Sequence, residues 1–279
     1  MSRSFAPGKI ILSGEYAVVF GYAGIAVPSS MGVQALFEEN SESGEIRILW
    51  EDAHGRKQWL EYVRKIVSLC ECENLHGQLT IHSTLPVAKG MGSSTALVVS
   101  IARALLGDDA REEALCIEDA LNPGHSGLDF ATIWSGTSVL FRKGTVPKPI
   151  EMPAAALKGA LLIDTGLPNE STTELVEWMR NRESEVAEAL RVIGDCTDRL
   201  VRGEPLSGVM RDHHKAQVKL GVVPTDVQEI ISLVESSGGA AKVIGAGSRT
   251  GGGGMVLALG DQEHISKIAT QKNVSVTHF

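Results

Sequence analysis

Aromatic residues make up only 5% of the 279 positions, so a core in this chain has to be assembled from Ala, Val, Ile and Leu. Cysteine is scarce too. Cys70 and Cys72 stand too close together to read as a paired metal knuckle, and Cys116 and Cys196 fall inside helical patterns. Reduced thiols are therefore expected, without a disulfide or zinc framework. Lys and Arg form no block: 26 basic residues stand against 34 acidic ones, for a net charge of −8. That excludes the electrostatic footprint of a nucleic-acid-binding surface. No run approaches the roughly 18–20 apolar residues of a membrane span, and Met1 to Pro7 offers no apolar stretch of signal-peptide length. These absences lead us to expect a cytoplasmic protein with neither nucleic acid nor membrane as partner.

Apolar residues reach 43%, enough for a sizeable core, and there are 30 glycines, several of them clustered. Such clusters mark places where backbone turns sharply or approaches a ligand closely. An acidic protein can still hold phosphates if backbone N–H groups, a metal and one or two local cations build the site.

Hydrophobic periodicity predicts a mixed chain. Lys9–Leu12, Ala17–Phe20, Ile46–Trp50, Leu79–His82, Ala160–Asp164, Lys242–Ile244, Met255–Leu259 and Val274–His278 read as strands. Helices are expected from Lys57 to about Cys70, after Ser93, over Ala110–Leu121, from Ser171 to about Leu200, over Leu206–Leu220 and over Thr225–Ser236. Regular strand–helix alternation is absent, so the class is α+β and not a doubly wound sheet. The Val146-Pro147-Lys148-Pro149 stretch marks a boundary between domains at 1–147 and 148–279.

Pro86 to Thr95 is a glycine loop running straight into a helix. Its glycines let N–H groups face an anion, and the helix end adds a positive dipole. Neither the Walker nor the Rossmann spacing is met. An ordinary helix start capped by Ser93 explains the segment equally well when it is taken alone. Other segments change that balance. Ala6 to Gly21 resembles the signature Ala-Pro-Gly-Lys-x-x-Leu-x-Gly-Glu-His-Ala-Val-Val-x-Gly of mevalonate kinases, with Tyr16 in place of His. Pro86 to Thr95 is similar to the phosphate loop Pro-x-x-x-Gly-Leu-Gly-Ser-Ser-Ala of the galactokinase–homoserine kinase–mevalonate kinase–phosphomevalonate kinase (GHMP) superfamily. Ser126 to Ala131 resembles its Ser-Gly-x-Asp-x-Ala, although Asn122-Pro123-Gly124-His125 precedes it where the family reads His-Gly-x-Pro. Thr165-Gly166, followed by Ser171-Thr172 and Leu175-Val176, is similar to a further mevalonate kinase stretch. Lys242 to Gly254 resembles Lys-x-x-Gly-Ala-Gly-Gly-Gly-Gly, with Ser248-Arg249-Thr250 inserted.

The resemblance implies a ribosomal-protein-S5-like N-terminal domain and a ferredoxin-like C-terminal domain with the active site between them. It also implies ATP and magnesium as cofactors, mevalonate as the small-molecule partner, and it admits a homodimer. Asp129 and Lys9 take the catalytic positions. Lys89, Gly90, Met91, Gly92, Ser93 and Ser94 take the ATP phosphates, and Ser94 and Glu118 the magnesium. Glu15, Tyr16 and Thr165 fall at substrate-binding positions, and Gly245, Ala246 and Gly247 form the glycine loop that packs on the phosphate loop. Glu118 is preferred over Asp119 by its spacing to Asp129. Ser171 is expected to cap a helix with Glu174, and His213-His214 to be surface or packing residues, since helix neighbours do not face the same way. The alternatives are phosphomevalonate kinase or another kinase of the superfamily, and, from another class, a non-catalytic ATP-binding protein on the same fold.

Overall fold

The computed structural model describes residues 1–40, 44–50, 57–72, 74–152 and 156–279. In chain order the first half forms β1 (Ser2–Ser13), a 3-10 turn (Ala17–Phe20), β2 (Ala23–Glu39), β3 (Ile46–Leu49), α1 (Lys57–Leu69) and β4 (Gly77–Ser83). α2 (Ser93–Leu106), α3 (Arg111–Leu121), α4 (Leu128–Ser135), β5 (Val139–Arg142) and β6 (Lys148–Pro149) follow. The second half forms β7 (Leu161–Asp164), α5 (Thr172–Arg180), α6 (Glu183–Val201), α7 (Leu206–Leu220), α8 (Thr225–Ser236), β8 (Ala240–Val243), β9 (Met255–Leu259), α9 (Gln262–Gln271) and β10 (Ser275–His278).

The first half builds a six-stranded sheet, β3-β4-β2-β5-β6, with β1 paired to β2. β2 is its spine. One stretch pairs with β5 and a later stretch with β4, while β1 runs antiparallel along both. The first half of β2 reads as loop because it contains Gly24, Pro28 and Gly32; pairing along its length overrides that local preference. Ala17–Phe20, expected as a strand, is a 3-10 turn instead. It closes the connection between β1 and β2, which are already paired to each other. Among the unexpected elements, α4 and β5 sit in a segment too short for periodicity to resolve, and α9 carries few apolar residues.

The second sheet has the order β10-β7-β9-β8, with all pairs antiparallel. Numbered along the chain as strands one to four, that order is 4-1-3-2, the split β-α-β arrangement of a ferredoxin-like domain. Its strands alternate strictly. Leu161, Ile163, Val256, Ala258, Ala241 and Val243 join one cluster with residues of α8 and α9. Leu162, Leu257 and Ala240 point the other way, into the large core shared with the first sheet and α2. Lys242 lies on that second face, fully buried. β6, at the expected boundary of 147 and 148, still pairs with β5 in the first sheet, so the passage to the second sheet falls between Pro149 and Leu161.

The long helix expected from Ser171 to Leu200 is two helices, α5 and α6, joined at Asn181-Arg182. No glycine or proline announces the turn, and Leu175, Met179, Val186 and Leu190 enter one cluster from both helices. All four cysteines are free. Among the described residues no helix is long and apolar enough to cross a membrane.

Candidate active site

The site grows from an irregularity in β1. The β1–β2 register slips between Pro7 and Lys9, a bulge of the kind that re-aims a side chain at a sheet margin. The Lys9 backbone N–H donates to Met91 O at 3.0 Å, and its ammonium donates to Gly90 O at 2.8 Å. Lys9 is thus bound under the phosphate loop, only 2% exposed. Gly92 makes room for it, since a Cβ there would meet the Lys9 stem at 3.3 Å and Ile133 at 2.8 Å. The Lys9 Nζ lies 3.2 Å from Asp129 Oδ2, whose side chain is 32% exposed. Asp129 stands in the first turn of α4, where the N-terminal dipole favours a carboxylate. The N-termini of α2 and α4 therefore meet at Lys9, one offering free N–H groups to an anion and the other a carboxylate.

Glu118 reaches the same place from α3. It is buried, Thr95 Oγ1 donates to its Oε1 at 2.8 Å, and its Oε2 has no partner among the described residues. Burial raises this carboxyl; the Thr95 bond and His125 pull it down, while the nearby Asp129 charge pushes it further up. Two carboxylates that repel each other, one with a bare buried oxygen, suit a hard cation. Ser94, next to Thr95 in the first turn of α2, carries a further hydroxyl. Asp119 turns outward, its carboxylate 64% exposed and 2.6 Å from His125 Nε2, so of the two neighbouring acids only Glu118 faces the site.

The loop residues divide by role. Ser93 is the first residue of α2, not its cap; its Oγ accepts from Ala88 N at 3.2 Å and braces the loop. The Met91 side chain is fully buried in the core, leaving only its backbone at the loop. Lys89, expected to reach phosphate, is bound to Asp164 at the end of β7. Its carbonyl also accepts from Met255 N at 3.1 Å, so Lys89 clips the loop to the second sheet. The two glycine loops interlock as expected of Gly245, Ala246 and Gly247. A Cβ on Gly90 would fall 2.4 Å from Ile244 O, and one on Gly245 would fall 2.6 Å from Gly90 Cα.

Residues 60–134 match the family GHMP kinases N terminal domain. The mevalonate kinase of Thermococcus sibiricus is 28% identical over 311 residues, covering 95% of this chain and 90% of that protein. The chain is thus similar to GHMP kinases in part of its sequence and in its fold. The crystal structure of the Methanococcus jannaschii mevalonate kinase shares its fold with a TM-score of 0.79 at 22% identity, over 99% of this chain and 96% of that one. A Streptococcus pneumoniae phosphomevalonate kinase in complex with phosphomevalonate and AMPPNP aligns with a TM-score of 0.72 at 14% identity, over all of both chains.

The three residues expected at the substrate are engaged elsewhere. Glu15 is sealed from solvent, with one oxygen bound to Lys242 and the other 2.9 Å from His213 Nε2. Burial alone would raise its carboxyl, but Lys242 and His213 outweigh it and hold it at about 2. The Tyr16 hydroxyl donates to Ala246 O. Burial, then the Glu15 and Glu170 charges, push that hydroxyl well above its ordinary value, so it stays a donor. Thr165 Oγ1 donates to Gly254 O at 2.7 Å and accepts from Gly253 N at 3.1 Å. All three bind the N-terminal signature or β7 to the C-terminal part of the chain. Glu15 and Tyr16 are buried and Thr165 is half-buried, and each takes the partner that packing brings to it. Ser171 does form the capping box with Glu174. His213 and His214 are both buried on α7, and the described residues hold no group of 3 or more His, Cys, Asp or Glu placed to bind a metal ion.

Sequence reasoning gave no partner to Asp164, His213 or Glu170, because each lies far along the chain from the group it meets.

Proposed function

We propose that this protein transfers the γ-phosphoryl group of ATP to the primary hydroxyl of mevalonate. The observation that carries the reading is the Lys9–Asp129 pair at two converging helix N-termini, beside the bare oxygen of Glu118, on a chain whose relatives include mevalonate kinases. Backbone N–H groups from Gly90 to Ser94 would cradle the phosphates. Ser94 and Glu118 would hold magnesium, which supplies neutralisation of phosphate charge when bound.

The acceptor oxygen attacks the γ-phosphorus in line, the bond from that phosphorus to the bridging oxygen of ADP breaks, and the hydroxyl proton passes to Asp129. Lys9 stabilises charge on the transferring group. Its pairing with Asp129 holds both groups in place, which suits a loose transition state where positioning and electrostatics dominate. Coupled ADP release across mevalonate, phosphomevalonate, homoserine and galactose tests the reading. Mevalonate is expected to be turned over best. Turnover of phosphomevalonate without mevalonate would overturn the acceptor, and ATP binding with no turnover of any of the four would favour a non-catalytic role.

A further inference from the structure

The acceptor proposed above is an anion, and the site as described has no free cation for its carboxylate. Lys9 is bound to Gly90 O and Asp129, Lys89 to Asp164, and Lys242 to Glu15 and to Ile11 O. Tyr16, at the position where the signature carries histidine, gives its only proton to Ala246 O. The counter-charge has to come from another element.

Arg249 meets that need. It lies in the Ser248-Arg249-Thr250 insertion, two residues beyond the Gly-Ala-Gly turn that touches Gly90 and receives the Tyr16 hydroxyl. The insertion is a built turn. Ser248 Oγ, Arg249 N and Thr250 Oγ1 all donate to Glu170, the last two at 3.0 Å each, and Asn169 N donates to Ser248 Oγ at 3.2 Å. Slight burial would raise the Glu170 carboxyl, but these donors hold it below the usual carboxylate range and absorb its charge. The Arg249 side chain is exposed, and its guanidinium lies 4.6 Å from the centre of the Trp178 ring. Arg182 lies against the same ring at 4.2 Å, but Glu185 already pairs with it at 2.8 Å. Among the described residues, no carboxylate pairs with the Arg249 guanidinium. Trp178 belongs to the same cluster as Tyr16 and Ala246, so this unpaired cation stacks on the cluster that holds Tyr16 of the N-terminal signature. Its planar fork matches a carboxylate in two-point geometry.

We infer that Arg249 binds the carboxylate of the acceptor, so that the inserted turn, stacked on Trp178, selects an anionic alcohol as substrate; this rests on the kinase reading above. The test compares wild type, Arg249→Gln and Arg249→Lys on two acceptors, mevalonate and the triol in which its carboxylate is reduced to a primary alcohol. Arg249→Gln should raise the mevalonate KM about tenfold or more, the scale of losing a charge-assisted bond. The KM for ATP and kcat/KM for the triol should stay within about twofold. Arg249→Lys, which keeps the charge without the fork, should fall between. Added salt should raise the wild-type mevalonate KM and leave that of Arg249→Gln nearly flat. Wild-type turnover of mevalonate with an unchanged KM in Arg249→Gln would overturn this inference alone. Equal losses on mevalonate and the triol would also overturn it, by showing that the turn only shapes the site. Failure of wild type to phosphorylate mevalonate would overturn the inference and the proposed function together.

Discussion

Two lysine–carboxylate pairs lie near the start of this chain, and they are built to opposite ends. Lys242 and Glu15 are both sealed from solvent, with Ile11 O taking a further ammonium proton and His213 standing at the second carboxylate oxygen. Lys9 is as deeply placed, but its partner Asp129 remains a third exposed, and the neighbouring Glu118 keeps an oxygen without a partner among the described residues. The first pair has matched its charges and closed. The second leaves carboxylate oxygens open beside a helix N-terminus. A buried, fully matched pair joins elements of the chain; an incompletely matched one is equipped to meet a ligand. The same rule sorts the remaining residues. Tyr16, Thr165 and Lys89 are occupied, whereas Arg249 is not.

The contrast is broken most severely at Asp129. Asp129→Asn should fold with an unchanged melting temperature yet lose roughly 10²–10⁴-fold in kcat, the scale of a lost proton acceptor. Kinetics within a few-fold of wild type would remove Asp129 from the chemistry. At the closed pair the effect should appear in stability instead. Lys242→Met leaves Glu15 buried without its cation and should cost about 3–5 kcal/mol in denaturant unfolding, and adding Glu15→Gln should recover much of that. A double variant no better than the single would show that the two residues are not energetically paired.

Glu118→Gln should raise the magnesium concentration needed for half-maximal rate, while Asp119→Asn, altering an outward-facing carboxylate, should change it little. A magnesium titration in which Asp119 proves the sensitive residue would contradict the orientation of α3. The smallest effect is expected in the acid range. Burial, with His213 and Lys242 alongside, draws the His214 imidazole from 6.5 down to about 4. The unfolded chain then binds a proton that the folded chain refuses, so stability present above pH 6.5 is lost as the pH falls through about 4. His214→Gln should flatten the melting temperature across that window. Glu15, held at about 2 against an ordinary 4.5, adds its own loss lower down, which the histidine variant should leave in place.

Much of the candidate site was legible because its parts are local. The turn into α2, the Ser-Gly-x-Asp at the start of α4 and the spacing from Glu118 to Asp129 each lie within a short stretch, where backbone geometry and helix periodicity leave few arrangements. The capping box at Ser171 was legible for the same reason. β2 was not, since Pro28 and Gly32 speak locally for a loop and only its pairing with β1, β4 and β5 makes it a strand. The turn at Asn181-Arg182 escaped because the apolar stripe continues across it.

The amino-acid sequence by itself determined an α+β chain, a glycine loop running into a helix start, and the spacing that prefers Glu118 over Asp119. Each follows from residues close in the chain, where spacing translates directly into geometry. Only the tertiary structure decided which polar groups remain free. Glu15 meets Lys242 and His213, Tyr16 meets Ala246, Lys89 meets Asp164, and Glu170 meets the inserted turn, all across long stretches of chain. A buried polar group takes whichever partner the packing brings to it, and that partner is set by how the two sheets close on their shared core.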